Sequence, residues 1–264
     1  MNGNRDGGER IIASVETATR LIEALYASDG AGITELAEQF DLSKGAVHHQ
    51  LGTLRKQGFV VKEGTQYHPS LRFLNIGQGI KHQSEVFEAA KPELLKLADH
   101  SGEYAHLMVE QNGWGYILHK ERGENANATV SRSGKRLHLH YTSTGKAILA
   151  HLPEERVKRI VDERGLPERT DDTITDREAL FEELAEIREQ GVAFDRGEQI
   201  SNARCVGAPV LGPDGDVLGA ISVSGPRGRI NGEWFESELP DVVGSAADVI
   251  EMNIEMNELA SRSF

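Results

Sequence analysis

Between residues 10 and 69 the apolar side chains fall at helical spacing three times and then flank a short turn, and few folds accommodate that order. Val15, Ala18, Leu21, Ile22 and Leu25 recur along one helix face, with Ser14 as the expected N-cap. Ser28-Asp29-Gly30-Ala31-Gly32 stops that helix. Thr34 is the expected cap of a second, short helix with Leu36, Ala37 and Phe40 inward. Asp41-Leu42 makes a short turn, and Ser43 caps a third helix that carries Val47, Leu51 and Leu54 inward and ends at Gln57-Gly58. Phe59-Val60-Val61 and Thr65-Gln66-Tyr67 flank Lys62-Glu63-Gly64 as a β-hairpin. Three helices with a tight turn before the third, then a hairpin, is the order of a winged helix-turn-helix.

Charge tests whether such a unit meets DNA. The 264 residues carry a net charge of −13, so the chain repels nucleic acid unless its positive charge is focused. Leu42 through Lys62 contains no Asp or Glu, and it carries Lys44, Arg55, Lys56, Lys62, His48 and His49. Acid is thus displaced from the third helix rather than absent from its domain. Ser43, Lys44, Gly45, His48, His49 and Gln50 lie at the N-terminal turns that a recognition helix inserts into the major groove. Gln50 can read an adenine edge, Lys44 can reach guanine or phosphate, and Ser43 with the helix N-terminus can hold a phosphate. Arg55 extends the basic face, and Lys62 on the wing reaches the DNA backbone. A bundle fragment with an accidentally basic face is the competing reading. Pattern, wing and acid-free window together favour DNA. The acidity elsewhere, with Arg outnumbering Lys 19 to 10, fits ordinary solubility and equally fits adaptation to high internal salt.

The length suits two domains. No run approaches the ~18 apolar residues that cross a bilayer. Residues 1–9 have no apolar core and read as a disordered tip, not a signal peptide, so the expected location is cytoplasmic with no membrane partner. Pro69 to about Lys81 reads as a connecting helix with Leu71, Leu74 and Ile76, hinge-like at Gly77 and Gly79. Glu85 to His100 is a helix with Phe87, Leu94, Leu95 and Leu97 apolar. Mixed α/β follows. Tyr104–Glu110 and Trp114–His119 are strands around Asn112-Gly113, a hairpin signal. Leu137–Tyr141 is a strand, Ser143–His151 a helix, and Pro153 opens the next. Thr175-Asp176-Arg177-Glu178 is a capping box for a helix to Gln190. Val192–Asp195, Arg204–Leu211 and Val217–Ser224 are strands, and a last helix starts near Glu233, interrupted by Pro240.

Several motifs resemble one family. Ile33-Thr34-Glu35-Leu36-Ala37, Ser43-Lys44-Gly45-Ala46-Val47-His48-His49-Gln50-Leu51 and Gly58-Phe59-Val60 lie in the first unit. Thr142-Ser143-Thr144-Gly145-Lys146-Ala147-Ile148-Leu149-Ala150, Thr173-Ile174-Thr175, Arg204-Cys205-Val206-Gly207-Ala208-Pro209-Val210 and Ala220-Ile221-Ser222-Val223-Ser224-Gly225-Pro226 follow in order. Over essentially its whole length the chain resembles the IclR family of transcriptional regulators. The resemblance implies an α+β chain: a winged helix-turn-helix over 10–69, a linker helix over 70–85 and a GAF-like α/β effector domain over 86–264 with a mainly antiparallel sheet. It also implies dimers that pair into tetramers and a small metabolite, often an organic acid. His49 stands where the family often has Arg.

The family's ligand pocket maps onto residues whose chemistry suits an anion. Ser143, Thr144 and Gly145 open a helix directly after a strand, and free N–H groups there favour a carboxylate. Ser222 and Ser224 are two apart on a strand, so their hydroxyls share a face. Asp195 and Cys205 occupy matching pocket positions, and Leu137 supplies an apolar wall. The expected effector is a small organic-acid or sugar-acid anion, with hydroxyls for Asp195 to accept. Read alone, paired strand serines more often face solvent, and Cys205 is most often a small buried hydrophobe.

Catalytic readings fare worse. Gly145-Lys146 resembles the end of a phosphate-binding loop, but the first glycine would fall at His140 and Ala147 replaces the Ser/Thr. Ser224-Gly225 lacks the Gly-x-Ser-x-Gly frame. His138 and His140 on one strand face suggest a metal site but lack further ligands nearby. Asn127-Ala128-Thr129 fits a glycosylation acceptor without an export signal. The sequence therefore points to a metabolite-controlled regulator of catabolic genes that binds a double-stranded operator, with no catalytic residues, metal or cofactor. The alternative is a small-molecule sensor or enzyme whose N-terminal domain binds a protein. Lys44→Ala is expected to weaken binding to a specific operator by about 1–3 kcal/mol if Lys44 makes a base contact. Gel shifts at several salt concentrations check this, and wild-type binding with no sequence preference would count against sequence-specific regulation.

Overall fold

The first structural consequence of the sequence pattern is a division after Ile80 into two compact units. The structure, a computed structural model, describes residues 11–126 and 132–261. The disordered tip and the Asn127-Ala128-Thr129 acceptor of the sequence reading lie outside the described residues.

The first unit runs α1 (Ala13–Ala27), β1 (Ala31–Gly32), α2 (Ile33–Phe40), α3 (Lys44–Lys56), β2 (Val60–Glu63) and β3 (Gln66–Pro69). Its antiparallel sheet has the order β1-β3-β2. The three helices and the sheet close over Leu21, Leu25, Leu36, Val47, Leu51, Val60 and Tyr67. Ser43 caps α3 through its hydroxyl, which accepts the Ala46 N–H at 3.1 Å. Two other expected caps are corrected. Ser14 lies inside α1, whose N-cap is Ile12, and Val15 is exposed because the first turn extends past the core. Thr34 lies inside α2: Gly32 is the N-cap, and its N–H donates to the Glu35 carboxylate at 2.7 Å. Ala31-Gly32, read as a helix stop, also pairs with β3 as a short strand.

Helix α4 (Arg72–His82) spans the division, and none of its residues is buried. The second unit continues with α5 (Glu85–Ser101), β4 (Tyr104–Gln111), β5 (Trp114–Arg122), β6 (Arg136–Leu137), α6 (Ser143–His151), α7 (Glu154–Arg164) and α8 (Arg177–Gln190). β7 (Ala193–Asp195), β8 (Ala203–Leu211), β9 (Val217–Pro226), a π-helical turn (Trp234–Glu238) and α9 (Leu239–Ser261) complete it. Six strands form one antiparallel sheet in the order β6-β5-β4-β9-β8-β7. Asn112 and Gly113, both at positive φ, turn β4 into β5.

The period of two along each strand sorts side chains between two cores. Leu107, Val206, Ile221 and Val223 pack with α5 and α9 on one face. Met108, Ile117 and Ala220 pack with α6 and α8 on the other. Three expectations change. Of the expected Leu137–Tyr141 strand only Leu137 pairs, together with Arg136 before it, because His138 donates its N–H to the Tyr141 hydroxyl at 3.2 Å and the chain turns. Asp176 rather than Thr175 caps α8, and Pro153 is the N-cap of α7 rather than inside its first turn. Leu95 faces solvent, and the irregularity near Pro240 is the π-helical turn ahead of it. Among the described residues no helix is long and apolar enough to cross a membrane.

A Cβ added at Gly77 or Gly79 would meet open space. Both glycines therefore weaken α4 without any packing need. Gly77→Ala and Gly79→Ala should each stabilise α4 by about 1 kcal/mol, read as slower amide hydrogen exchange across 72–82. Unchanged exchange would contradict this account of a soft helix.

Candidate functional site

In the first unit, α3 is the exposed helix of the helix-turn-helix. Its inner face, Val47, Leu51 and Leu54, is consumed by the core. That burial turns Ser43, Lys44, Gly45, His48 and His49 to solvent, with Gln50 half-buried. The His48 and His49 rings meet edge to face, with centroids 5.9 Å apart. A methyl group at Gly45 would touch only the Ser43 hydroxyl, so packing does not dictate this glycine. Arg55 and Lys56 stand in the last turn, roughly 16 Å along the axis from Lys44 at 1.5 Å per residue. Lys62 is exposed on β2, its ammonium 5.4 Å from the centre of the Tyr67 ring. The structure thus leaves every one of these side chains reachable, and Arg55 sits too far along the helix to share a base with Lys44.

In the second unit, a cavity of about 340 Å³ lies on the α6 face of the sheet. Ser222 and Ser224 enter it because Ile221 and Val223 take the opposite face. Leu137, Ser143, Thr144 and Cys205 also line it. The N-terminus of α6 comes this close only because β8 carries Gly207: a Cβ there would lie 2.9 Å from the Ser143 carbonyl carbon. Thr142 caps α6, its hydroxyl accepting the Gly145 N–H at 2.9 Å. Helix geometry then leaves the N–H groups of Ser143 and Thr144 without intrahelical acceptors. Thr144 donates its hydroxyl to the Met108 sulfur at 3.3 Å. Ser143 and Ser222 are buried, and their hydroxyls make no side-chain hydrogen bond among the described residues.

Two expected pocket residues stand behind the wall instead. Gly145 spends its N–H on the cap and backs against the Leu139 carbonyl. Asp195 is 1% exposed and organises the loop after β7: its Oδ1 accepts the N–H groups of Gly197 at 3.0 Å and Glu198 at 2.7 Å. Its Oδ2 faces the Cys205 thiol at 3.7 Å. Asp195 therefore spends Oδ1 on its own loop, turns Oδ2 to Cys205 and does not itself line the cavity. Burial, with Asp195 alongside, pushes the Cys205 thiol well above its ordinary range, so it stays protonated and unreactive.

Sequence reading missed Tyr104, His106 and Met108, the alternate positions of β4 that face the cavity, although the same period of two that singled out the serines identifies them. The His106 ring contacts the Ser224 hydroxyl at 3.3 Å, and burial depresses its pKa to about 3, so it is neutral. It also missed Gln199, Ile200 and Asn202, which come from an irregular loop without periodicity. Lys135 is a cation in the lining, its pKa lowered by burial and by Arg169 and Arg132. Glu103 also lines the cavity but is held by Arg229, at 2.9 Å from Nη2 to Oε2. His138 and His140 lie in a turn, where His140 Nε2 donates to the Pro167 carbonyl at 3.1 Å. No cluster of three metal-ligating side chains occurs among the described residues.

Behind the cavity Lys146 is 1% exposed, its ammonium 2.6 Å from Glu198 and 2.8 Å from Glu183. Burial raises the Glu198 carboxyl to about 7 despite that neighbour, and its Oε2 is buried with no partner among the described residues. The folded chain therefore holds this proton more tightly than the unfolded chain. Its stabilising contribution is complete below the ordinary 4.5 and is lost as pH rises to about 7. Glu198→Gln should flatten the fall in thermal stability across that window. Melting curves at both ends check it, and equal slopes in variant and wild type would overturn it.

Comparison with known proteins agrees with this two-part geometry. Residues 14–64 match the IclR helix-turn-helix domain, and residues 78–252 match the bacterial transcriptional regulator IclR C-terminal domain. The chain is 33% identical over 254 residues to a probable HTH-type transcriptional regulator ArcR of Halobacterium salinarum, covering 95% of this chain and 97% of that protein. It is 32% identical over 247 residues to the HTH-type transcriptional regulator BhcR of Paracoccus denitrificans, covering 93% and 88%. The crystal structure of the Thermotoga maritima IclR superimposes with a TM-score of 0.76 at 27% identity, over 92% of this chain and 98% of that one. The chain belongs to the IclR family of DNA-binding transcriptional regulators.

Proposed function

We propose that this regulator is controlled by a small organic acid with an apolar body, bound in the α6-face cavity. The observation that carries the reading is the pairing, in one cavity, of a helix N-terminus and the Ser143 and Ser222 side chains with a mostly apolar lining. The carboxylate lies at the Ser143 and Thr144 N–H groups, within reach of the Ser143 and Ser222 hydroxyls. The body lies against Met108, Ile117, Leu137 and Tyr104. Such walls favour an acid with an apolar body, and Gln199, Asn202 and Ser224 offer partners for a hydroxyl on it.

Residues 10–69 act as the DNA-binding domain, 70–85 as the linker and 86–264 as the effector domain. Ser43, Lys44, Gly45, His48, His49 and Gln50 meet the major groove, and Arg55 and Lys62 meet backbone phosphates. A homodimer, or a tetramer built from two, matches a two-fold operator, and the exposed Ile11, Ile12, Leu71, Leu74 and Ile80 supply apolar surface for self-association. The acidic remainder of the chain suits a salt-rich cytoplasm. The expected targets are catabolic genes. Effector and operator are coupled reciprocally, so each changes the affinity of the other by the same factor.

Thermal-shift screening of benzoate-type, short hydroxy and sugar acids tests the cavity, with gel shifts on genomic fragments testing the operator. The double variant Ser143→Ala/Ser222→Ala removes two charge-assisted hydrogen bonds, each worth about 1.5–3 kcal/mol. It should lower affinity for the stabilising acid at least about a hundredfold, the two bonds together being worth about 3 kcal/mol or more. If every ligand-induced shift survives in the double variant, the cavity assignment is wrong.

A further inference from the structure

Strand β5 touches the cavity with one face and the end of α4 with the other. Its pairing with β4 runs Met108 opposite Ile117 but Leu107 opposite His119, so Leu118 is an extra residue. Such a bulge re-aims side chains. Ile117 points into the cavity, whereas His119 lies against Phe87 of α5 on the opposite side, ring centroids 5.2 Å apart. The same Phe87 ring carries the Lys81 ammonium at 4.3 Å, and Lys81 sits in the last turn of α4.

Three side chains join in series there. Lys81 Nζ lies 2.7 Å from His119 Nδ1, and His119 Nε2 lies 2.7 Å from Glu121 Oε1. An ammonium only donates, so Nδ1 accepts, the ring is neutral, and Nε2 carries the proton that it donates to Glu121. Burial lowers both His119 and Lys81 from their ordinary values, which suits a neutral ring. The charges facing the chain are Glu88 and Lys91 on α5 and Glu121 on β5, while neighbouring His82 is bonded to Glu88 at 2.6 Å. Outside the cavity this titratable chain ends on α4, in the turn that also carries the His82–Glu88 pair.

We propose that the Lys81–His119–Glu121 chain couples the effector cavity to α4, with His119 as the positioning residue at the β5 bulge. The inference rests on the cavity being the effector site. An occupant that presses on Ile117 displaces the bulge, and His119 carries the displacement to Lys81. The side-chain chemistry needed is one acceptor towards Lys81 and one donor towards Glu121. Glutamine supplies both and alanine neither.

Amide hydrogen exchange on the full chain tests this in wild type, His119→Gln and His119→Ala. Each is measured with and without Ser222→Phe, which places a ring in the cavity by construction. Ala203→Trp, at another lining position, serves where that variant does not fold. Filling the cavity should change exchange across 72–82 by about fivefold or more, the lower end of ordinary coupling between sites, in wild type and His119→Gln. In His119→Ala that change should vanish while exchange across 142–146 and 220–224 still responds. A wild-type response across 72–82 in His119→Ala overturns the proposal, and so does a filled wild-type cavity that leaves 72–82 unchanged. Failure of the cavity reading itself is seen separately, as acid-induced thermal shifts that survive Ser143→Ala/Ser222→Ala.

Discussion

The second unit is organised around an ammonium group taken out of water. Lys146 projects from α6 between Glu183 of α8 and Glu198 of the loop after β7. Withdrawing such ions from water costs several kcal/mol each, and removing one partner of a buried pair typically costs about 3–5 kcal/mol. The pair therefore adds little net stability and much positional definition. It pins the loop that supplies Gln199, Ile200 and Asn202 to the helix that supplies Ser143 and Thr144, so two cavity walls share one electrostatic anchor. Asp195 completes the anchor by gathering the Gly197 and Glu198 N–H groups into a fixed turn.

Much of this architecture was legible in the sequence wherever periodicity met a burial demand. The inner face of α3 follows from spacings of three to four, the shared face of Ser222 and Ser224 from a spacing of two, the Asn112-Gly113 turn from its residue types, and the cavity position of the serines from the family resemblance. Legibility failed where tertiary contacts decide. Leu137–Tyr141 alternates like a strand, yet the Tyr141 hydroxyl captures the His138 N–H and closes a turn. Ser14 and Thr34 carry cap chemistry, but the helices begin earlier, and the Gly32 N–H is taken by Glu35. Asp195 has the chemistry of a ligand acceptor and spends it on its own backbone. Lys146 stands in the sequence as part of a family motif and of a failed phosphate loop, with nothing local to mark it as a buried cation. Its partner Glu198 lies 52 residues away, beyond any local pattern.

Charge is distributed unevenly along the chain. A window free of Asp and Glu coincides with α3, whose inner face is taken up by the core and whose outer face is open. The surplus acid lies mostly in the rest of the chain. That surface is free of the charge that repels a duplex, while the acidic remainder disfavours loosely bound, non-specific complexes.

The cysteine in the cavity wall has a consequence for which signals the protein answers. Its sulfur is enclosed, protonated and beside a carboxylate, the reverse of what peroxide or disulfide exchange requires. A thiol held in that state is a poor target for thiol oxidants, so this residue serves the chamber as packing rather than as a sensor.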